Sequence, residues 1–260
     1  MDSHAHRLTS QLFRRLLCAR IWRFVAKAVF AGVITLMGAI RIDQALFRRD
    51  SEHLISIIRA FQVGSTTPAQ AQQMLQRWPQ VKDAKGDCSR QCWIGITLQD
   101  SFRRNADFFV RHRRLMSIYI SLGGTLAEVR ASMQFVNAAF RAHSIGVYVY
   151  VPPFRNAEKV WSDYTLIAAA SIVPEPTRPG QQLQRTPNPL HPSYRVGPRG
   201  GCDGCLIVDV TFAPESNPQD MNRLMQFDLS CLNRWWRPCR TQADIMPAAW
   251  KQFLQDQAQR

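Results

Sequence analysis

The chain has 260 residues, 46% hydrophobic and 20% charged, with a formal net charge of +14. That balance suits one globular domain with a small appendage and sets aside a low-complexity chain. The positive charge invites an anionic partner, but no long Lys/Arg run occurs. Its densest patches are the N-terminal leader and the stretch 103–114.

The leader, residues 1–23, is basic. Arg7, Arg14, Arg15, Arg20 and Arg23 stand against Asp2 alone. "FVAKAVFAGVITLMGAI", residues 24–40, then runs apolar with only Lys27 charged. As a helix it spans about 25 Å, the short end for a membrane crossing. Trp22 falls at interface depth, and Lys27 can snorkel to the headgroups. The alternatives are a cleaved signal peptide and a buried core helix. The long leader and the absence of a small-x-small cleavage site argue against cleavage. The one-sided basic flank argues against a core helix. We therefore expect an uncleaved signal anchor through which the chain meets the lipid bilayer. Past the span, Arg41, Arg48, Arg49 and Arg59 face three acids before residue 61. The positive-inside rule places the N-terminus in the cytoplasm and an extracytoplasmic domain over 41–260.

Beyond the span, Ile42, Leu46, Leu54, Ile57, Ile58 and Phe61 keep helical spacing, which predicts a helix to about residue 62 that stops at Gly64. A second helix opens with Thr67 as N-cap, Pro68 in the first turn and Gln70 completing a capping box. Met74, Leu75 and Trp78 form its predicted buried face, and Pro79 ends it. "KGDCSRQC" reads as a loop before a strand at 93–99. Residues 116–121 read as a strand. Over 125–135 two signals compete. Thr125 and Glu128 make a capping box, but Val129, Ala131, Met133 and Phe135 alternate with polar residues, so a strand is preferred. Asn137 marks a turn, and 145–151 and 164–173 are further strands. Seven prolines between 174 and 200 predict an irregular segment within the domain. A strand at 206–212 and a helix near 219–233 follow. In the closing helix Asp244 is the expected cap and Pro247 sits in the first turn. Its apolar face is Ile245, Met246, Ala249, Trp250, Phe253 and Leu254, expected to dock on the sheet. The predicted class is α+β: a transmembrane helix, then an antiparallel sheet packed by helices.

Cys18 precedes the span. The other six cysteines form three close pairs: Cys88 and Cys92, Cys202 and Cys205, Cys231 and Cys239. In an oxidising compartment an even count reads as disulfides, with the connectivity left open by sequence. Cys202-Asp-Gly-Cys205 has two other readings. A zinc site needs a second pair at matching spacing, which the chain lacks. A thioredoxin-like centre needs the pair at a helix start after a strand, whereas here it precedes one. A structural disulfide is favoured. A thiol- or metal-dependent enzyme using Cys202 and Cys205 is the alternative.

No phosphate-binding loop, dinucleotide fingerprint, zinc-protease motif or nucleophile elbow is present. The domain is therefore expected to bind or scaffold without chemistry, cofactor or metal of its own. The best binding candidate is "SFRRNADFFVRHRR". Arg103, Arg104, Arg111, Arg113 and Arg114 among phenylalanines suit an anionic envelope component or headgroups. The competing reading packs Phe102, Phe108 and Phe109 inward and leaves the arginines to water. A protein partner is the other candidate, and nucleic acid is disfavoured outside the cytoplasm.

The segments "VGSTTPAQAQQMLQRW", "WIGITL" and "MQFDLSCLNRWWRPCRTQADIMPAAW" give the sequence a further character. Together with the anchor they resemble a family of uncharacterised bacterial membrane-anchored proteins. That resemblance implies an α+β extracytoplasmic domain and transfers no catalytic residue.

Overall fold

The structure is a computed structural model that describes residues 3–78, 81–105, 112–150, 165–173, 192–198, 206–234 and 239–259. The chain divides into two compact units, 1–42 and 43–260. Helix α1 spans Ser3–Arg59. It contributes the one helix among the described residues long and apolar enough to cross a membrane. Within the first unit Trp22, Phe24, Phe30, Ile34 and Leu36 are all exposed, while Ile40 is buried. The hydroxyl of Thr35 donates to the Ala31 carbonyl at 2.9 Å, so the helix satisfies its own polar group.

In the second unit the remainder of α1 buries Phe47, Leu54, Ile55 and Ile58, one helical stripe, against a sheet. The chain turns at Gly64, which has a φ of +84°. Helix α2, Pro68–Leu75, opens with both halves of the Thr67–Gln70 capping box formed. Ala71, Leu75 and Trp78 are buried, but Met74 is 52% exposed, which corrects the predicted face. Consecutive residues lie about 100° apart on a helix, so Met74 and Leu75 do not share one narrow stripe.

The sheet has seven strands in the order β1-β2-β3-β4-β5-β7-β6. They are β1 Val81–Asp87, β2 Gln91–Gln99, β3 Leu126–Val136, β4 Ala139–Tyr150, β5 Thr165–Ile172, β6 Ser193–Pro198 and β7 Leu206–Phe212. All neighbours are antiparallel except β5 and β7. The sheet is thus mostly, not wholly, antiparallel. The loop predicted at "KGDCSRQC" is instead the end of β1, a tight turn and the first two residues of β2. The Asp87 carboxylate accepts from the Ser89 amide and hydroxyl, and Gly86 takes a φ of +100°. The β3–β4 turn places Asn137 and Ala138 both at left-handed φ, the geometry of a two-residue hairpin. Part of the predicted irregular segment, Ser193–Pro198, is strand β6; residues 174–191, 199 and 200 lie outside the described ones.

Helix α3 is Ser101–Arg104 and helix α4 is Arg113–Ser121. The second overturns the strand predicted at 116–121. Met116, Tyr119 and Ile120 fall on one helical face and pack against Leu126 and Tyr150. Helix α5, Pro218–Leu224, is capped by Asn217, and helix α6 spans Pro247–Ala258. A short 3-10 turn at Leu229–Asn233 occupies the end of the predicted 219–233 helix. Asp244 caps a 3-10 turn at Gln242–Asp244 and not α6. Its carboxylate accepts from the amides of Arg240 and Thr241 and from the Thr241 hydroxyl. Burial alone would raise its pKa, but these bonds hold it below the usual range. On α6, Ala249 is buried and Phe253 meets Tyr194 of β6 at 6.4 Å, so the helix docks on the sheet. Leu254 is 47% exposed, a second correction.

One sheet face carries the core. Ile96, Ala131, Ile145, Ala170 and Val210 lie side by side across five strands and are all buried under the helices. At about 25 cal/mol per Å² of apolar surface, this row and its neighbours supply most of the favourable free energy of folding.

Candidate functional site

Alternation sends the intervening residues of β2, β3 and β4 to the opposite face. Register then sets them in a grid. Gly95 pairs with Ser132 and Ser132 with Ser144. Thr97 pairs with Arg130 and Arg130 with Gly146. Gln99 pairs with Glu128 and Glu128 with Tyr148. The small residues leave a trough of about 380 Å³ whose lining includes Trp93, Arg130, Ser132, Gly146 and Tyr148.

Three features organise it. The Glu128 side chain is fully buried, accepts from Arg130 Nε, and accepts from Gln99 Nε2 at 3.2 Å. The Arg130 guanidinium lies 4.8 Å over the Tyr148 ring while the side chain stays 52% exposed. Held by a carboxylate and an aromatic face, it keeps donors directed to solvent in a fixed fork. The hydrogen bond to Glu128 shifts its pKa upward, against the opposing effect of burial. Gly146 provides the room. A Cβ there would come within 2.9 Å of the Tyr148 ring. Trp93, 44% exposed, adds a second aromatic surface. The arrangement can stack a planar or sugar-like group and hold an anionic or carbonyl oxygen.

A second concavity of about 320 Å³ lies among α1, α2, β2 and α3. Asp43 and Asp50 of α1, Arg77 and Trp78 after α2, and Ser101 and Arg104 of α3 line it. Ser101 donates its hydroxyl to Asp43, tying α3 to α1. The buried Asp100 carboxylate accepts from the Ala127 amide at 2.6 Å, tying α3 to β3.

Among the residues singled out from sequence, Cys88 is bridged to Cys92 and Cys231 to Cys239, with Cα separations of 4.6 and 4.9 Å. Cys92, Cys231 and Cys239 are buried in the core cluster, so these bridges pin the turns onto it. Cys202 and Cys205 lie outside the described residues, as do Arg111 and Phe108–Phe109, and for Phe102, Arg103 and Arg113 the structure describes the backbone alone. Arg104 reaches the second concavity, and Arg114 is exposed on α4. Among the described residues no group of three His, Cys, Asp or Glu side chains is placed to hold a metal. The His53 ring lies tilted against Trp78 at 5.5 Å, and His143 is buried in the core. The trough was not anticipated. Its signal, small or polar residues alternating with apolar ones in three successive strands, becomes visible only once their register is known. Comparison with protein-family models, curated proteins and solved structures finds no match for this chain.

Proposed function

We propose that the chain is a single-span membrane protein, N-terminus in the cytoplasm, whose extracytoplasmic α+β domain is a binding module without chemistry of its own. This reading agrees with the resemblance of its motifs to a family of uncharacterised bacterial membrane-anchored proteins. The observation that carries the binding role is the trough. Its cation is pre-oriented by the buried Glu128 and the Tyr148 ring, and its floor is kept clear by Gly95, Ser132 and Gly146. Fixing such a group before the ligand arrives lowers the ordering cost of binding. Its ligand class is an anionic component or protein partner of the envelope.

The test is photo-crosslinking in intact cells. A benzophenone amino acid replaces Trp93 in the trough or, as a control, exposed Leu254 on α6. A discrete adduct from position 93, lost when Arg130→Met is added and absent from position 254, is expected. Equal adducts from both positions, or none from 93, would overturn the assignment.

A further inference from the structure

The concavity beside α3 has a composition unlike the trough: three carboxylates, two guanidiniums and an indole, with the Asp100 carboxylate already engaged by the Ala127 amide. Asp43 and Asp50 are half-buried on α1, and Arg77 and Arg104 are exposed on the facing elements. Among the described residues neither Arg77 nor Asp50 has an ion pair. Arg104 donates to the Gln99 carbonyl at 3.4 Å, a long bond that engages one nitrogen of its fork. Trp78, 5% exposed, lines the same space. Asp50 and Arg77, which line one concavity without an ion pair among the described residues, suit a ligand that itself carries both signs.

Covalent geometry limits where that ligand is found. Asp43 follows Ile40, the end of the apolar run, by three residues, a reach of at most about 11 Å. Ser101 is hydrogen-bonded to Asp43, which holds α3 and Arg104 to the same point. If residues 24–40 cross a bilayer, the chain reaches Asp43, one wall residue of the concavity, within that distance of the span.

We infer that this concavity binds the zwitterionic headgroup of phosphatidylethanolamine from the surrounding bilayer. The inference rests on the membrane anchoring proposed above. The two guanidiniums take the phosphate, as forked donors do. Asp43 and Asp50 accept from the primary ammonium, and the Trp78 ring adds a cation-binding surface. A volume of about 320 Å³ is at the small end of ligand pockets and suits a headgroup, with the acyl chains left in the membrane. The Arg104 end of the basic stretch thus meets an anion, but as one half of a mixed-charge site.

The experiment uses the full chain in nonionic detergent and reads bound lipid by native mass spectrometry. This separates it from anchoring, because micelles need no orientation and membrane insertion is scored independently by alkaline extraction. One phosphatidylethanolamine per chain is expected. Phosphatidylcholine, whose trimethylammonium has no N–H to donate, and phosphatidylglycerol, which lacks the cation, should each bind at least about tenfold more weakly. Asp50→Asn should weaken phosphatidylethanolamine by about tenfold and leave phosphatidylglycerol unweakened. Arg77→Gln with Arg104→Gln should weaken both. Equal binding of the three lipids overturns the inference without recourse to any variant. So does displacement of phosphatidylethanolamine by equimolar inorganic phosphate, or an Asp50→Asn chain that retains full binding.

Discussion

Acidification from neutral pH to about pH 4 is expected to cost the domain about 3 kcal/mol through His143 alone. This histidine is 4% exposed on β4 and stacked on Phe140 at 5.6 Å, with neither ring nitrogen hydrogen-bonded among the described residues. Burial lowers its pKa from 6.5 to about 4. The unfolded chain therefore binds the proton first as pH falls. The stability of the neutral ring is complete above pH 6.5, is lost progressively below it, and reaches its full cost near pH 4. Asp228 and Asp244, whose pKa values are lowered from 3.8, act only below that window. His143→Phe should flatten the dependence of urea-unfolding free energy on pH between 6.5 and 4. A constant packing penalty in the variant does not matter, because the readout is the slope. A variant with the same slope as the parent would show that the ring is charged in the folded state.

The second large effect lies in the trough. Arg130→Met removes the cation that Glu128 faces and should cost about 3 kcal/mol at neutral pH, because a fully buried carboxylate then loses its charged partner. The sign of its pH dependence is opposite to that of His143. Without Arg130 the Glu128 pKa rises above its unfolded value, so the variant should recover stability relative to the parent as pH falls below about 5. Adding Glu128→Gln should restore most of the loss at neutral pH, because Gln99 can still hydrogen-bond a neutral amide. Unfolding curves of the four chains form a double-mutant cycle. Additive losses would mean that the pair does not organise the trough.

Much of the architecture is legible where a local rule and the packing agree. Thr67, Pro68 and Gln70 announce α2 and form the expected cap. Strict alternation from Val129 to Phe135 outweighs the competing capping pattern at Thr125, since β3 buries one complete face on the helices. Elements without that agreement differ from what their sequence predicts. "LMSIYISL" fits period two almost as well as period three to four, and only Leu126 and Tyr150 across the fold make it a helix. β1 and β6 sit at the two sheet edges. An edge strand has a neighbour on one side only, so the polar "VKDAKGD" and the Pro-bounded "SYRVGP" carry little apolar pattern. The parallel β5–β7 pair is a property of the chain path, not of either strand's composition. The candidate sites follow the same logic. Paired cysteines are visible as spacing, whereas the trough requires three strands in register and the mixed-charge concavity requires α1, α2 and α3 together.

The proposed function depends on whether residues 24–40 cross a membrane and leave residues 43–260 outside the cytoplasm. The most direct measurement is protease accessibility of an N-terminally tagged full chain in spheroplasts, before and after lysis, with non-reducing peptide mapping of the protected and released material. The account expects the tag to survive until lysis and the domain to be digested from outside, releasing peptides joined through Cys88–Cys92 and Cys231–Cys239. A domain that stays intact until lysis, with those four cysteines recovered as free thiols, would contradict it.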